Sequence, residues 1–250
     1  MRRPQRIVIT GASSGIGAAL ALAYARPGAS LVLSGRDAGR IEAVAARCRE
    51  RGAAADAAAV DVADRAAMEA WIARVHAVAP LDLVIANAGV DGTGFAPEER
   101  LRAIFRINVD GVVNTIEPAL AAMRPRGRGQ IAIVASLAGF VGMPGAPAYG
   151  ASKAAVRTLG EALRARHAPE GIEFSVICPG FVRTPMTAGN RFPMPFLWDA
   201  ERAAARIVRG LERNRSRIAF PWPMYASVRL LQALPQPLLQ LIMARAPRKA

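Results

Sequence analysis

The chain is poor in several residue types, and each scarcity narrows what it can be. Two cysteines, Cys48 and Cys178, stand far apart with no CxxC spacing and no neighbouring histidine, so neither a disulfide framework nor a zinc pattern is present. They read as small buried hydrophobes of a reducing compartment. The only histidines, His76 and His167, fall at the ends of helical stretches and read as surface or capping residues; no metal site is expected. No uninterrupted apolar run approaches the about 20 residues needed to span a bilayer. The short run Ile7–Ile9 behind the basic start is too brief for a signal segment, so a cytoplasmic protein is expected. Aromatics make up 6% and do not interleave with the cations, so the formal charge of +14 is not taken as a nucleic-acid footprint. Lysine is nearly missing, with only Lys153 and Lys249 among 33 basic residues. Where surface cations are written as arginine, a lysine is informative.

What is there is an apolar chain of 250 residues, 52% hydrophobic, long enough for one large core. Short β-branched runs cover 6–10, 30–34, 82–86, 130–135 and 173–178, with an Ala-rich strand over 55–60 and a last one over 217–220. Helical periodicity occupies 16–26, 38–51, 64–78, 98–123, 151–167 and 199–214. This alternation predicts an α/β fold, a doubly wound parallel sheet with helices on both faces. One domain is expected over 1–220, with a helical extension over 221–250. Irregular sequence at 179–198 reads as a lid over a site.

The first strand runs into Thr10-Gly11-Ala12-Ser13-Ser14-Gly15-Ile16-Gly17, followed by a helix. Glycines at that place let the backbone turn sharply and approach a pyrophosphate at the positive end of the helix, and Ser13 and Ser14 add donors. The same pattern could also serve only as a tight strand–helix turn. The second strand ends in Ser34-Gly35-Arg36. An acid there would hold a ribose 2′-hydroxyl and repel a 2′-phosphate; Gly35 removes it and Arg36 offers a phosphate clamp. NADP(H) is therefore favoured over NAD(H). Ser136 follows a strand, Tyr149 comes thirteen residues later, and Lys153 lies one helical turn beyond. A cation beside a phenol favours phenolate, which would make Tyr149 a general acid or base near neutrality.

These residues, with Asn87-Ala88-Gly89, Asn108, Tyr149-Gly150-Ala151-Ser152-Lys153 and Pro179-Gly180, resemble the short-chain dehydrogenase/reductase family over about residues 5–220. The resemblance implies a Rossmann-type sheet of seven parallel strands in the order 3-2-1-4-5-6-7. It implies Tyr149 as proton donor, Lys153 on the nicotinamide ribose, Ser136 on the substrate oxygen and Asn108 anchoring a water that links Lys153 to solvent. It further implies that Asp61 and Val62 meet the adenine and that Asn87, Ala88 and Gly89 pack beside the cofactor. Pro179 and Gly180, with Val182 and Thr184, would cradle the carboxamide. Many relatives are dimers or tetramers, so a homo-oligomer is expected.

Leu137, Phe140, Met143 and Phe192 are candidate substrate contacts; with Val141, Met194, Phe196, Leu197 and Trp198 they suggest an uncharged, apolar carbonyl or alcohol substrate. Core packing explains the same residues equally well, and Arg183 and Arg191 would instead suit an acidic group. The Leu-rich segment 225–245, broken at Pro235 and Pro237 and flanked by Arg229, Arg245, Arg248 and Lys249, either packs on the domain or at an interface, or makes weak contact with a membrane surface. The expected activity is an NADP(H)-dependent oxidoreductase. The rival reading is a nicotinamide-binding regulatory or scaffold protein without turnover, which would need the glycine turn but not an activated phenol.

Overall fold

A computed structural model describes residues 3–190 and 192–244. Its frame is a seven-stranded sheet in which every pairing is parallel. The strands are β1 (Arg6–Thr10), β2 (Ser30–Gly35), β3 (Ala54–Ala59), β4 (Leu83–Ala86), β5 (Gly129–Val134), β6 (Ile172–Pro179) and β9 (Arg217–Phe220). Their spatial order is β3-β2-β1-β4-β5-β6-β9. The seventh sheet strand is the ninth in the chain because two short strands, β7 (Val182–Arg183) and β8 (Trp198–Asp199), form a separate ladder.

Period-2 alternation divides the core between the two faces. Ile7, Ile9, Leu31, Leu33, Leu83 and Ile85 point to one side, where α1 (Gly15–Tyr24), α2 (Ala38–Glu50) and α8 (Ala200–Glu212) lie. Val8, Val32, Val84, Ile131 and Ile133 point to the other, under α3 (Arg65–Val78), α5 (Gly111–Met123) and α6 (Pro147–His167). Strands buried on both faces account for the unbroken apolar runs read in the sequence.

Three elements differ from the sequence expectation. The helix expected over 98–123 is α4 (Pro97–Phe105), a π-helical turn (Arg106–Asp110) and α5 in succession. The widening sits at Asn108, whose side chain is drawn out of the helix to bond backbone groups of Val90. Helix α6 starts at Pro147, earlier than the expected 151, with the proline ring in the first turn, where its missing N–H costs nothing. Tyr149 therefore belongs to the same rigid helix as Lys153. The expected lid is not wholly irregular: it holds α7 (Pro185–Ala188), capped reciprocally by Thr184 and Thr187, and the β7–β8 ladder pairs Val182 with Trp198.

The tail forms α9 (Trp222–Gln232) and α10 (Gln236–Ala244). Met224, Tyr225 and Val228 pack α9 against the core, while Leu238, Leu241 and Ile242 on α10 are exposed. Arg191, Arg245, Arg248 and Lys249 lie outside the described residues. Among the described residues, no helix is long and apolar enough to cross a membrane.

Gly160 lets α6 approach the sheet closely: a Cβ there would lie 2.7 Å from Val176 Cγ2 and 3.0 Å from Ile133 Cδ1. Gly160→Val is expected to lower stability by about 1–3 kcal/mol through overpacking, measured as a lower urea midpoint at unchanged slope.

Candidate active site

A crevice of about 330 Å³ opens at the carboxyl ends of the strands. It lies where strand order reverses, with β1 leading outward to β2 on one side while β4 begins the other half. Its floor is the turn after β1. Gly11 and Gly15 have φ of +64° and +55°, a region costly for other residues. A side chain on Gly11 would meet the Ala88 backbone at 2.7 Å, and one on Gly17 would overlap the Gly11 carbonyl and the Asn87 amide. Asn87 closes this arrangement by donating from Nδ2 to the carbonyls of Thr10 and Gly11, both at 3.0 Å.

The three helices that follow β1, β2 and β3 begin differently. Asp37 caps α2 and Asp64 caps α3, each accepting from a backbone N–H in the first turn. Ser14, at the start of α1, makes no side-chain cap, and no acid occupies that first turn. The leading N–H groups of α1 are thus left for a ligand, and the helix dipole favours an anion there. The residues present fit a dinucleotide pyrophosphate.

Arg36 borders the crevice at the end of β2, together with Asp37 and Arg40. Sequence reasoning passed over the latter two, although Arg40 stands four residues after Arg36 and Asp37 is an ordinary helix-capping residue. Asp37 is the acid nearest to the position that would serve a ribose 2′-hydroxyl, but its carboxylate is committed. It accepts from the Arg40 backbone N–H at 2.9 Å and from Arg40 Nε at 2.8 Å, contacts that hold its carboxyl below the usual range. A Cβ on Gly35 would come within 3.3 Å of Ser13, so a bulky acid in its place would crowd the glycine turn.

Gly11, Ser13, Ser14, Gly15, Ile16, Gly17, Arg36, Asp61, Val62, Asn87, Ala88, Gly89, Ser136, Tyr149, Lys153, Pro179, Gly180, Val182 and Thr184 all line the one crevice. Ser136 caps a short 3-10 turn, accepting from Ala138 N at 3.1 Å, and its hydroxyl donates to Pro179 O at 3.4 Å. Tyr149 is half-buried on α6. Lys153, 3% exposed, donates from Nζ to Val134 O at 2.8 Å and stands 5.8 Å from the centre of the Tyr149 ring. Asn108 lies just behind: Oδ1 accepts from Val90 N at 2.7 Å, and Nδ2 donates to Val90 O at 2.9 Å and to Ser152 Oγ at 3.0 Å. Gly89 separates Asn108 from Lys153. A methyl there would sit 3.1 Å from Asn108 Oδ1 and 3.2 Å from Lys153 Nζ.

One electrostatic expectation is corrected. Burial pushes the Tyr149 phenol above its ordinary value; a hydrogen bond with Ser136 opposes this, and Asp91 adds repulsion. Lys153 directs one donor to the β5 carbonyl and is itself pulled down to about 8 by burial. The phenol is therefore not acidified in this structure.

The expected substrate contacts are dispersed. Leu137 and Phe140 are buried in the core, Met143 and Phe192 are half-buried in loops, and none of the four borders the crevice. The Phe140 ring is enclosed by Arg157, Arg217 and Tyr225. Trp198 likewise stacks on Phe220 with centroids 5.0 Å apart, and so belongs to packing. From the lid, Pro185, Met186 and Thr187 reach the crevice, none of them singled out by sequence because α7 was not foreseen.

A family model described as short chain dehydrogenase matches residues 5–193. An oxidoreductase of Myxococcus xanthus is 39% identical over 238 residues, covering 92% of this chain and 93% of the relative. A short-chain dehydrogenase from Sphingobium yanoikuyae, solved in complex with NADPH, is 29% identical with a TM-score of 0.79, covering 92% of this chain and 96% of that one. A gluconate 5-dehydrogenase from Burkholderia cenocepacia, solved with NADP and tartrate, is 27% identical with a TM-score of 0.78, covering 89% and 95%.

The low value for Lys153 sets a pH dependence. Between about 8 and the free-lysine value of about 10.4 the unfolded chain holds more protons than the folded one, so this group's contribution to stability rises with pH in that window. In Lys153→Met that contribution is gone. Thermal unfolding should show the stability difference between variant and parent moving in the parent's favour as pH is raised from 8 to 10.

Proposed function

Because the chain belongs to the short-chain dehydrogenase/reductase family of NAD(P)-dependent oxidoreductases, we propose that it transfers a hydride between NADP(H) and an uncharged, apolar ketone or secondary alcohol bound against Tyr149. The observation that carries this reading is the placement of Tyr149 and Lys153 one turn apart on α6, both bordering the crevice floored by the uncapped glycine turn. A nicotinamide cofactor, when bound, supplies or accepts the hydride. The chain's residues do the rest. The N–H groups opening α1, with Ser13 and Ser14, hold the pyrophosphate. Asp61 and Val62 flank the adenine, and Pro179, Gly180, Val182 and Thr184 bound the nicotinamide end.

In the reducing direction, Ser136 donates to the carbonyl oxygen and steadies the charge growing on it. Tyr149 gives up the phenolic proton to that oxygen. A phenol held high by burial is matched to this role as a donor, since it stays protonated until the substrate oxygen becomes basic. Lys153 replenishes the Tyr149 proton, and Asn108, across the Gly89 gap, anchors the water that links Lys153 to solvent. The rival reading, a cofactor-binding regulator without turnover, gives no reason for Ser136, Tyr149 and Lys153 to meet at one crevice.

NADP(H) is favoured over NAD(H) because Arg36 and Arg40 both border the crevice, where Arg40 is paired with Asp37. A cytoplasmic homo-oligomer is proposed from the family. Weak membrane contact by the tail would rest on exposed Leu238, Leu241 and Ile242 and on the absence of any acid after Glu212.

NADPH oxidation across a panel of aldehydes and ketones tests the reaction. Tyr149→Phe should reduce turnover by about 10²–10⁴-fold with NADPH affinity retained, and unchanged turnover would remove the assignment. Arg36→Ala should lower the ratio of NADPH to NADH efficiency by about tenfold or more, as expected for a lost charge-assisted phosphate contact; a parent enzyme that prefers NADH would defeat the cofactor choice.

A further inference from the structure

The tail helix α9 reaches the two loops that frame the reacting end of the crevice, and it does so through a connected set of side chains. The Phe140 ring, four residues after Ser136, is enclosed on three sides. The Arg157 guanidinium lies 4.7 Å from its centre, that of Arg217 lies 5.5 Å away, and the Tyr225 ring meets it edge-on at 5.6 Å and 77°. Arg217, on β9, donates to Tyr225 Oη at 3.0 Å and to Glu161 Oε1 from both Nε, at 3.1 Å, and its terminal nitrogen, at 2.5 Å. Arg157 donates to both oxygens of Glu161, at 3.2 Å to Oε2 and 3.3 Å to Oε1, and to Gly139 O at 3.4 Å. Cationic planes against an aromatic face, fixed by a shared carboxylate, hold a ring far more firmly than apolar contact alone.

The first turn of α9 also presses on the opposite loop. Gly180 donates its N–H to Phe220 O at 2.7 Å, and a Cβ on it would fall 2.6 Å from Met224 Sδ and 2.9 Å from Pro221 Cδ. The Ser136 hydroxyl itself points to Pro179 O. Ser136 thus lies between two loops, both of which rest on residues 220–225.

We propose that Tyr225, acting through its ring edge against Phe140, is a positioning residue that fixes the 136–140 turn and with it the Ser136 hydroxyl. Tyr225 does not border the crevice and touches no reacting atom. The inference rests on the reading of Ser136 as the group that holds the substrate oxygen, so its test separates the two.

Backbone amide exchange in the full-length protein needs no substrate. In Tyr225→Ala the segment 136–141 should lose protection while the glycine turn 11–17 keeps it, and Tyr225→Phe, which retains the ring, should restore protection. Unchanged exchange at 136–141 in Tyr225→Ala overturns the proposal, as does loss spread equally over both segments. If Tyr225→Ala fails to fold, Tyr225→Leu keeps apolar volume without the ring edge or hydroxyl and is judged by the same criterion. Kinetics supply the second readout, in a double-mutant cycle with Ser136→Ala. Tyr225→Ala should cut kcat about tenfold with Ser136 present and change it less than about twofold in the Ser136→Ala background. Equal losses in both backgrounds overturn the proposal, because a general loss of structure would act on both. A Ser136→Ala enzyme with full activity would refute the role of Ser136 while leaving the exchange result to stand or fall on its own.

Discussion

An amine withdrawn from water has to find an acceptor, and the hydrogen bond from Lys153 to the last carbonyl of β5 is the contact on which the active site depends. It joins the helix that bears the phenol to the strand that leads into Ser136. Two close approaches make it attainable. Gly160 lets the middle of α6 settle onto β5 and β6, and Gly139 lets the turn after Ser136 lie against the α6 backbone, where a Cβ would meet Ala154 N at 2.7 Å. The helix sets the spacing of Tyr149 and Lys153, and glycine at those two points lets α6 approach the turn that bears Ser136.

The cofactor side is arranged on a different principle. Here the sheet supplies a gap between diverging chain directions, and the helix behind it supplies an uncompensated positive end. Asp37 and Asp64 satisfy the helices on either side of the sheet edge, which makes the bare start of α1 the place where an anion gains most. The two halves of the sheet meet at Asn87–Val90, where Asn87 ties to the glycine turn and Asn108 ties to Val90.

Much of this was legible in the chain because it is local. The strands at 6–10 and 217–220 were read to the residue, since β-branched runs bounded by turns leave little freedom. The glycine turn, Arg36 and the Tyr149–Lys153 spacing were visible for the same reason. What sequence could not supply depends on distant partners. The π-helical turn arises from Asn108 reaching eighteen residues back to Val90, and no helical periodicity records that. Phe140 looked like a pocket residue because it is apolar and close to Ser136; only the fold brings Arg217 and Tyr225 around it. The direction of the Tyr149 shift was missed because spacing in the sequence says nothing of how strongly burial opposes a charged phenolate.

The rung between Val182 and Trp198 has a geometric result of its own. It stitches together the two ends of the fourteen residues 184–197, turning an open excursion into a closed loop of fixed perimeter. Because Trp198 is stacked on Phe220 and Arg202 covers its other aspect at 4.1 Å, that stitch is anchored in the body of the protein. The segment that carries α7 therefore leaves and rejoins the body of the protein at one fixed base, and Pro185, Met186 and Thr187 are presented to the crevice from it.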